Sequence, residues 1–397
     1  MTDKKNWLPI NPETISAAHL LIRDYIHETP VLTCKTLNEL ASTPQQPDIN
    51  DDDSVSQINQ DEPLAQPRIN FFFKCENFQR IGAFKVRGAF HSILRLITVE
   101  GLDEVKRRGV ITHSSGNHAQ AVALAAFTLD IPSYIVMPSI SVPSKIEATK
   151  VYNPKLYFSG PTTEERESVV ARIKAETNAF LIHPYDHPDT IIGQGTAALE
   201  MEQQVNKLCR ATPNLSCHVA LDREGGDDYT FLDAVVTPVG GGGLQAGTAT
   251  FLCPHRNGKK IYVFGSEPSF QGADDVRRGL LMGERITRVK SLTIADGLRT
   301  PIGELPFGIV TDANKCRGVF AVTENQIKKA MKLVIERMKI LIEPSAAVPL
   351  AACLYNEEFR QLIEREGGER GWNIGIIFSG GNTTIKDVSG LFTGISG

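Results

Sequence analysis

Three strand-like runs in this chain end in small polar or glycine residues just where a helix begins. Val110-Ile111-Thr112 leads into His113-Ser114-Ser115-Gly116-Asn117-His118. Asp233 to Val239 leads into Gly240-Gly241-Gly242-Gly243, and Ile374 to Phe378 leads into Ser379-Gly380-Gly381-Asn382. Further apolar strands at 134–137, 156–158, 180–182 and 261–265 alternate with helical patterns at 119–129, 144–150, from Thr162, at about 193–208 and from Thr323. Strands that are apolar along nearly their whole length belong to a parallel α/β sheet with helices on both faces. Ligands of such sheets collect outside the carboxyl ends of the strands. The three small-residue runs are therefore expected to meet in one site.

The four glycines let the backbone wrap closely around an anion that the following helix N-terminus faces, so phosphate is the expected ligand. With no Gly-Lys-Ser/Thr, the loop is not a triphosphate P-loop. A dinucleotide site competes, because Gly241-x-Gly243-x-x-Ala246 follows a strand and Glu267 ends the next one at about the distance of a ribose-binding acid. That reading leaves the other runs and the stretch Phe71 to Ala89 without a role. There a short strand, a polar turn closed by Gly82 and a helix over about 84–98 put Lys85 in a first helical turn. The positive end of the helix dipole disfavours the ammonium, and the neutral amine is the form that attacks carbonyl carbon. A first-turn lysine taken alone is more often a solvated charge.

At 397 residues and 41% hydrophobic content the chain can bury a large core, and a net charge of −4 gives nucleic acid nothing to bind. Without a signal-like apolar N-terminus or a membrane-length apolar run, it reads as a soluble cytoplasmic protein. Seven scattered cysteines without a CxxC signal neither a disulfide framework nor zinc. A helix is expected over 11–27. Residues 41–68 and 210–230, rich in Pro, Gln, Asp, Asn and Gly, read as surface insertions, the first of them disordered. His183 and His187 are four apart, but prolines 184 and 188 oppose a helix that would pair them on a metal.

Together, Asn77-Phe78-Gln79-x-x-Gly82-Ala83-Phe84-Lys85-x-Arg87-Gly88-Ala89, the Ser114 to His118 run, the glycine loop and Ser379-Gly380-Gly381-Asn382 resemble the fold type II pyridoxal-phosphate enzymes, the tryptophan synthase β-like fold. Within that fold the pattern is most similar to the group that holds serine racemases, serine/threonine dehydratases and 3-hydroxyaspartate dehydratases, from about residue 10 to 385. The resemblance implies twisted parallel sheets in a large domain (1–98 and 188–397) and a small mobile domain (99–187), and a homodimer. It implies that Lys85 forms the Schiff base with pyridoxal 5'-phosphate and moves the α-proton on one face. Phe84 and Asn117 would lie against the cofactor, Gly240 to Gly243 with Leu244 would hold its phosphate, and Ser379 would bond the pyridine nitrogen. Ser114, Ser115, Asn117, His118 and Arg166 would bind substrate. Ser115 would be the acid/base on the face opposite Lys85, where biosynthetic threonine dehydratases carry alanine. Two bases on opposite faces permit racemisation, with β-elimination of water alongside. The resemblance also implies Mg²⁺ or another divalent cation on Glu267, the Ala273 carbonyl and Asp275, in a loop about two residues longer than that pattern. Tyr185 replaces the asparagine of animal serine racemases, and Ala83 the serine of many dehydratases. A second substrate carboxylate would need a further cation, for which Arg299 and His113 are the candidates.

Overall fold

The computed structural model describes residues 6–46, 63–217, 229–253 and 259–393. Its strands are β1 (Val31–Leu32), β2 (Ile69–Cys75), β3 (Val110–His113), β4 (Ser133–Pro138), β5 (Lys155–Ser159), β6 (Phe180–Leu181), β7 (Ala234–Pro238), β8 (Tyr262–Pro268), β9 (Gly318–Val322) and β10 (Trp372–Phe378). They form a six-stranded sheet in the order β1-β2-β10-β7-β8-β9 and a four-stranded sheet in the order β5-β4-β3-β6. Every pairing is parallel except that of β1 with β2 at one edge. Two sheets of mostly parallel strands joined through helices are the α/β architecture that the strand–helix rhythm leads one to expect.

The alternation of a strand's side chains explains the triple phenylalanine in β2. Phe71 and Phe73 enter the core on one face of the large sheet, while Phe72 enters that on the other. Lys74 is fully buried as well.

Helix Pro188–Ala211 lies between two helices that matter for function. Against Lys85–Glu100 the backbones touch, since a Cβ on Gly193 would come within 2.7 Å of the Gly88 Cα. Against Gly243–Leu252 the approach is as close, since a Cβ on Gly247 would lie 2.6 Å from the Gly195 nitrogen. The lysine and the glycine loop are thus carried by two helices held against one central helix.

Several expected boundaries move. The first helix is Pro12–Ile22 rather than 11–27, with Asn11 as its N-cap in a capping box with Thr14. Pro188 opens the long helix ahead of its expected start near 193, because a first-turn proline lacks only an N–H that had no partner, and residues 183–187 form no helix, as the prolines led one to expect. The centres of both presumed insertions lie outside the described residues, but their flanks are well anchored. The Ala65 N–H donates to Glu357 Oε1 at 2.6 Å and its carbonyl accepts from Arg360 at 2.7 Å. Cys217 and Thr230 are buried on either side of the second. All seven cysteines are free, five of them buried. Among the described residues no helix is long and apolar enough to cross a membrane.

Candidate active site

One cleft brings together Phe84, Lys85, Ser114, Ser115, Asn117, His118, Arg166, Gly240 to Gly243, Leu244 and Ser379, which are separated by up to 295 positions in the chain. Lys85 is the first residue of its helix, and Phe84 before it provides no side-chain cap. The lysine amine donates to the Pro184 carbonyl at 2.8 Å and stands 5.2 Å from the centre of the Phe84 ring. Burial lowers its pKa to about 8, so a substantial neutral fraction exists near neutral pH.

The glycine loop is shaped to exclude side chains. Gly242 has φ +85°, a Cβ on Gly241 would lie 2.3 Å from the Tyr185 ring, and one on Gly242 would lie 2.7 Å from Pro306. The amides of Gly241 to Leu244 donate to no described residue. Free N–H groups at a helix start, in a cradle that any Cβ would fill, fit a bound phosphate.

Ser115 and Ser379 both line the cleft, and neither hydroxyl bonds another described residue. Ser379 is positioned through its backbone, whose carbonyl accepts from Phe84 N–H at 3.0 Å. A phosphate cradle, a partly neutral lysine and a free hydroxyl from a third strand end are together the set that pyridoxal phosphate requires, so these residues fit that group.

The histidines here are neutral. Burial, with Lys85 as the next cause, holds His118 well below its ordinary value, and burial takes His113 to about 4 and His183 to about 3. His118 Nε2 lies 3.2 Å from the Ile182 carbonyl, which can only accept, so Nε2 carries the proton. His113 is therefore not a cation for a second substrate carboxylate. Arg299 is not one either, because its Nε and Nη2 donate to the Thr293 carbonyl at 2.9 and 2.7 Å, outside the residues that line the cleft. Arg166 does line it.

Three charged lining residues escaped the sequence reading. Lys145 Nζ lies 2.6 Å from Asp296 and 3.6 Å from Glu343. Glu343 Oε1 also accepts from Asn117 Nδ2 at 2.7 Å, and Asn117 Oδ1 in turn accepts from Asn382 at 2.9 Å. These contacts span 151 and more positions, and no local pattern marks them.

Glu267, Ala273 and Asp275 lie apart from the residues that line this cleft. Glu267 is fully buried, with its two oxygens accepting from the amides of Val276 at 3.1 Å and Arg277 at 2.9 Å, so it cannot serve a ribose as the dinucleotide reading required. Burial and the neighbouring Asp275 raise its pKa well above the carboxylate range, and burial takes Asp275 to about 7. Among the described residues no three His, Cys, Asp or Glu side chains come together as a metal cluster. What remains of the expected set is two buried carboxylates without a countercharge between them.

Residues 57–380 match the family described as pyridoxal-phosphate dependent enzyme. The chain is 40% identical over 380 residues to the serine racemase of Dictyostelium discoideum, covering 94% of this chain and 95% of that one. It superposes on the structure of maize serine racemase with a TM-score of 0.75 at 34% identity, covering 96% and 97% of the two chains. Threonine deaminase isoform 2 of Solanum lycopersicum, in its processed form, superposes with a TM-score of 0.71 at 27% identity, covering 98% and 96%.

Proposed function

The chain belongs to the pyridoxal-phosphate dependent enzymes, and from that premise we propose that it racemises serine and, in the same cleft, eliminates water from serine or threonine. The observation that carries the reading is the meeting of Lys85 and Ser115 in one cleft, the amine's pKa lowered by burial and the hydroxyl free of other described partners. When bound, pyridoxal phosphate withdraws electrons from the substrate's α-carbon and so makes its proton removable.

The chain's own residues do the rest. The amides of Gly241 to Leu244 would hold the phosphate, and Ser379 Oγ would bond the pyridine nitrogen as a neutral partner. Phe84 would pack beside the ring. Lys85 Nζ, its pKa lowered by burial, takes or returns the α-proton on one face, and Ser115 Oγ does so on the other. Ser114, Asn117, His118 and Arg166 line the substrate's side, where the helix start at Asn117 suits a carboxylate. The neutral histidines leave that carboxylate no competing cation apart from arginine and lysine. A small domain spanning 99–187 closes on the large one over the bound substrate, and the enzyme works as a homodimer in the cytoplasm. Glu267 and Asp275 with the Ala273 carbonyl would hold Mg²⁺ or a similar cation; two buried carboxylates with raised pKa values suit a hard divalent ion.

The test is direct. With pyridoxal phosphate and L-serine, the wild-type chain is expected to yield both D-serine and pyruvate. Lys85→Ala should abolish both products. Ser115→Ala should abolish D-serine and leave elimination measurable. Unchanged formation of D-serine by Ser115→Ala would remove the two-base reading.

A further inference from the structure

The first turn of the Lys85 helix also carries Arg87, which is fully buried. All five of its N–H donors are engaged. Nε and Nη2 bond the two oxygens of Glu76 at 2.8 Å each, and Nη1 and Nη2 bond those of Glu200 at 2.8 and 2.7 Å. The remaining Nη1 proton points to Thr196 Oγ1 at 3.2 Å. Lys74 completes the group by donating to Glu200 at 2.7 Å, to Gln204 at 2.9 Å and to the Thr29 carbonyl at 2.7 Å. Two cations meet two anions, out of water.

These charges belong to three elements. Lys74 lies in β2 with Glu76 just beyond it, Arg87 in the lysine helix, and Glu200 in helix Pro188–Ala211. The last of these begins only four residues after Pro184, whose carbonyl receives the Lys85 amine. We infer that Arg87, clamped between Glu76 and Glu200, is a positioning residue that fixes the Lys85 amine against the Pro184 carbonyl.

Stability alone does not account for such a group, because buried ion pairs can often be replaced by apolar side chains at no cost. What the fork of a guanidinium supplies is geometry, since it engages two carboxylates in one plane as no other cation does. Geometry is what this turn needs. It starts without a side-chain cap, and it lies on its neighbouring helix through glycines, which present no side chain to lock the register.

The inference rests on Lys85 being the reactive amine, and the experiment separates the two. The full-length chain is first treated with pyridoxal phosphate and borohydride, and Lys85 modification is read by mass spectrometry. No modification of wild-type Lys85 would overturn the proposed function itself. Trace acetylation of the full-length chain before cofactor is added, from about pH 6 to 11, then gives the Lys85 amine titration. His118 and His183 face this amine, but both are neutral throughout that range. The wild-type midpoint is expected near 8. Glu200→Gln keeps the shape of the cluster and breaks its charge balance, and Arg87→Lys keeps the charge and loses the fork. In each, the midpoint should rise toward that of a hydrated lysine, and kcat should fall about tenfold or more with KM for serine little changed. Should one variant fail to fold, the other carries the test. A folded variant with a lower melting temperature but the wild-type midpoint and kcat would overturn the positioning role.

Discussion

Two groups of buried charge lie at strands of the six-stranded sheet and the helices beside them, and they differ in how they are neutralised. At β2, Lys74 and Arg87 meet Glu76 and Glu200, and the chain supplies both signs and every hydrogen bond that Arg87 can make. At the end of β8, Glu267 faces Asp275, and the nearby arginine Arg278 bonds Asp274 at 2.9 Å instead. Both groups are equally far from water. The first is complete in the folded chain, whereas the second must take up a proton or a cation. Burial by itself therefore does not mark a binding site; burial with an unmatched sign does.

The comparison breaks first at Arg87. Arg87→Met leaves two buried carboxylates with one lysine and should cost about 3–5 kcal/mol in urea unfolding. The matching change at the other group should go the other way. Glu267→Gln removes a charge that nothing balances, so in chelator above about pH 7 the variant should melt higher than wild type. The sign follows from the raised carboxyl pKa values, with Asp275 near 7 and Glu267 well above its ordinary value. The folded state there holds protons that the unfolded state has released, so stability is lost as pH rises from the ordinary carboxylate range. A variant that melts no higher would show that the pair is already compensated.

A smaller effect is expected from Mg²⁺ itself. It should raise the wild-type melting temperature at pH 8, do so less at pH 6 where protons compete, and leave Glu267→Gln unmoved. Acid acts through other groups. Burial holds His91, His113 and His187 at about 4, His183 at about 3, and His118 well below its ordinary value, so stability should be lost as pH falls from about 6.5 toward 4. That loss should be the same in wild type and Glu267→Gln. The smallest change is expected where water solvates both charges. The Lys150–Glu147 pair is 2.7 Å long but exposed, and Lys150→Ala should be indistinguishable from wild type in the same melts.

Much of the site was legible because its parts are local. Lys85 at a helix start, four glycines after a strand, and Ser379 at the end of the last strand each announce themselves within a few residues. The rule that ligands collect at the carboxyl ends of parallel strands then predicts their meeting. Lys145, Asp296 and Glu343 were not legible, since each is an ordinary charged residue in its own segment. Arg299 was misread for the same reason: sequence shows a cation but not the Thr293 carbonyl it bonds. The start of the long helix was placed too late, near 193 rather than at Pro188, because a proline that opposes a helix before it can open one after it.

Taken by itself, the sequence determined the parallel α/β fold, the family and the candidate residues for the chemistry, because strand periodicity, glycine conformation and helix starts are properties of short stretches of chain. Tertiary structure decided which of those residues remain available. It tied Arg299 to a loop, made the cleft histidines neutral by desolvation, lowered the pKa of Lys85, and left Ser115 and Ser379 unengaged. It also decided which buried charges are matched, since that depends on partners more than a hundred positions away, such as Glu200 for Arg87. Long-range contact and desolvation are set only when the chain has closed on itself, and it is these that turn a list of suitable residues into a site.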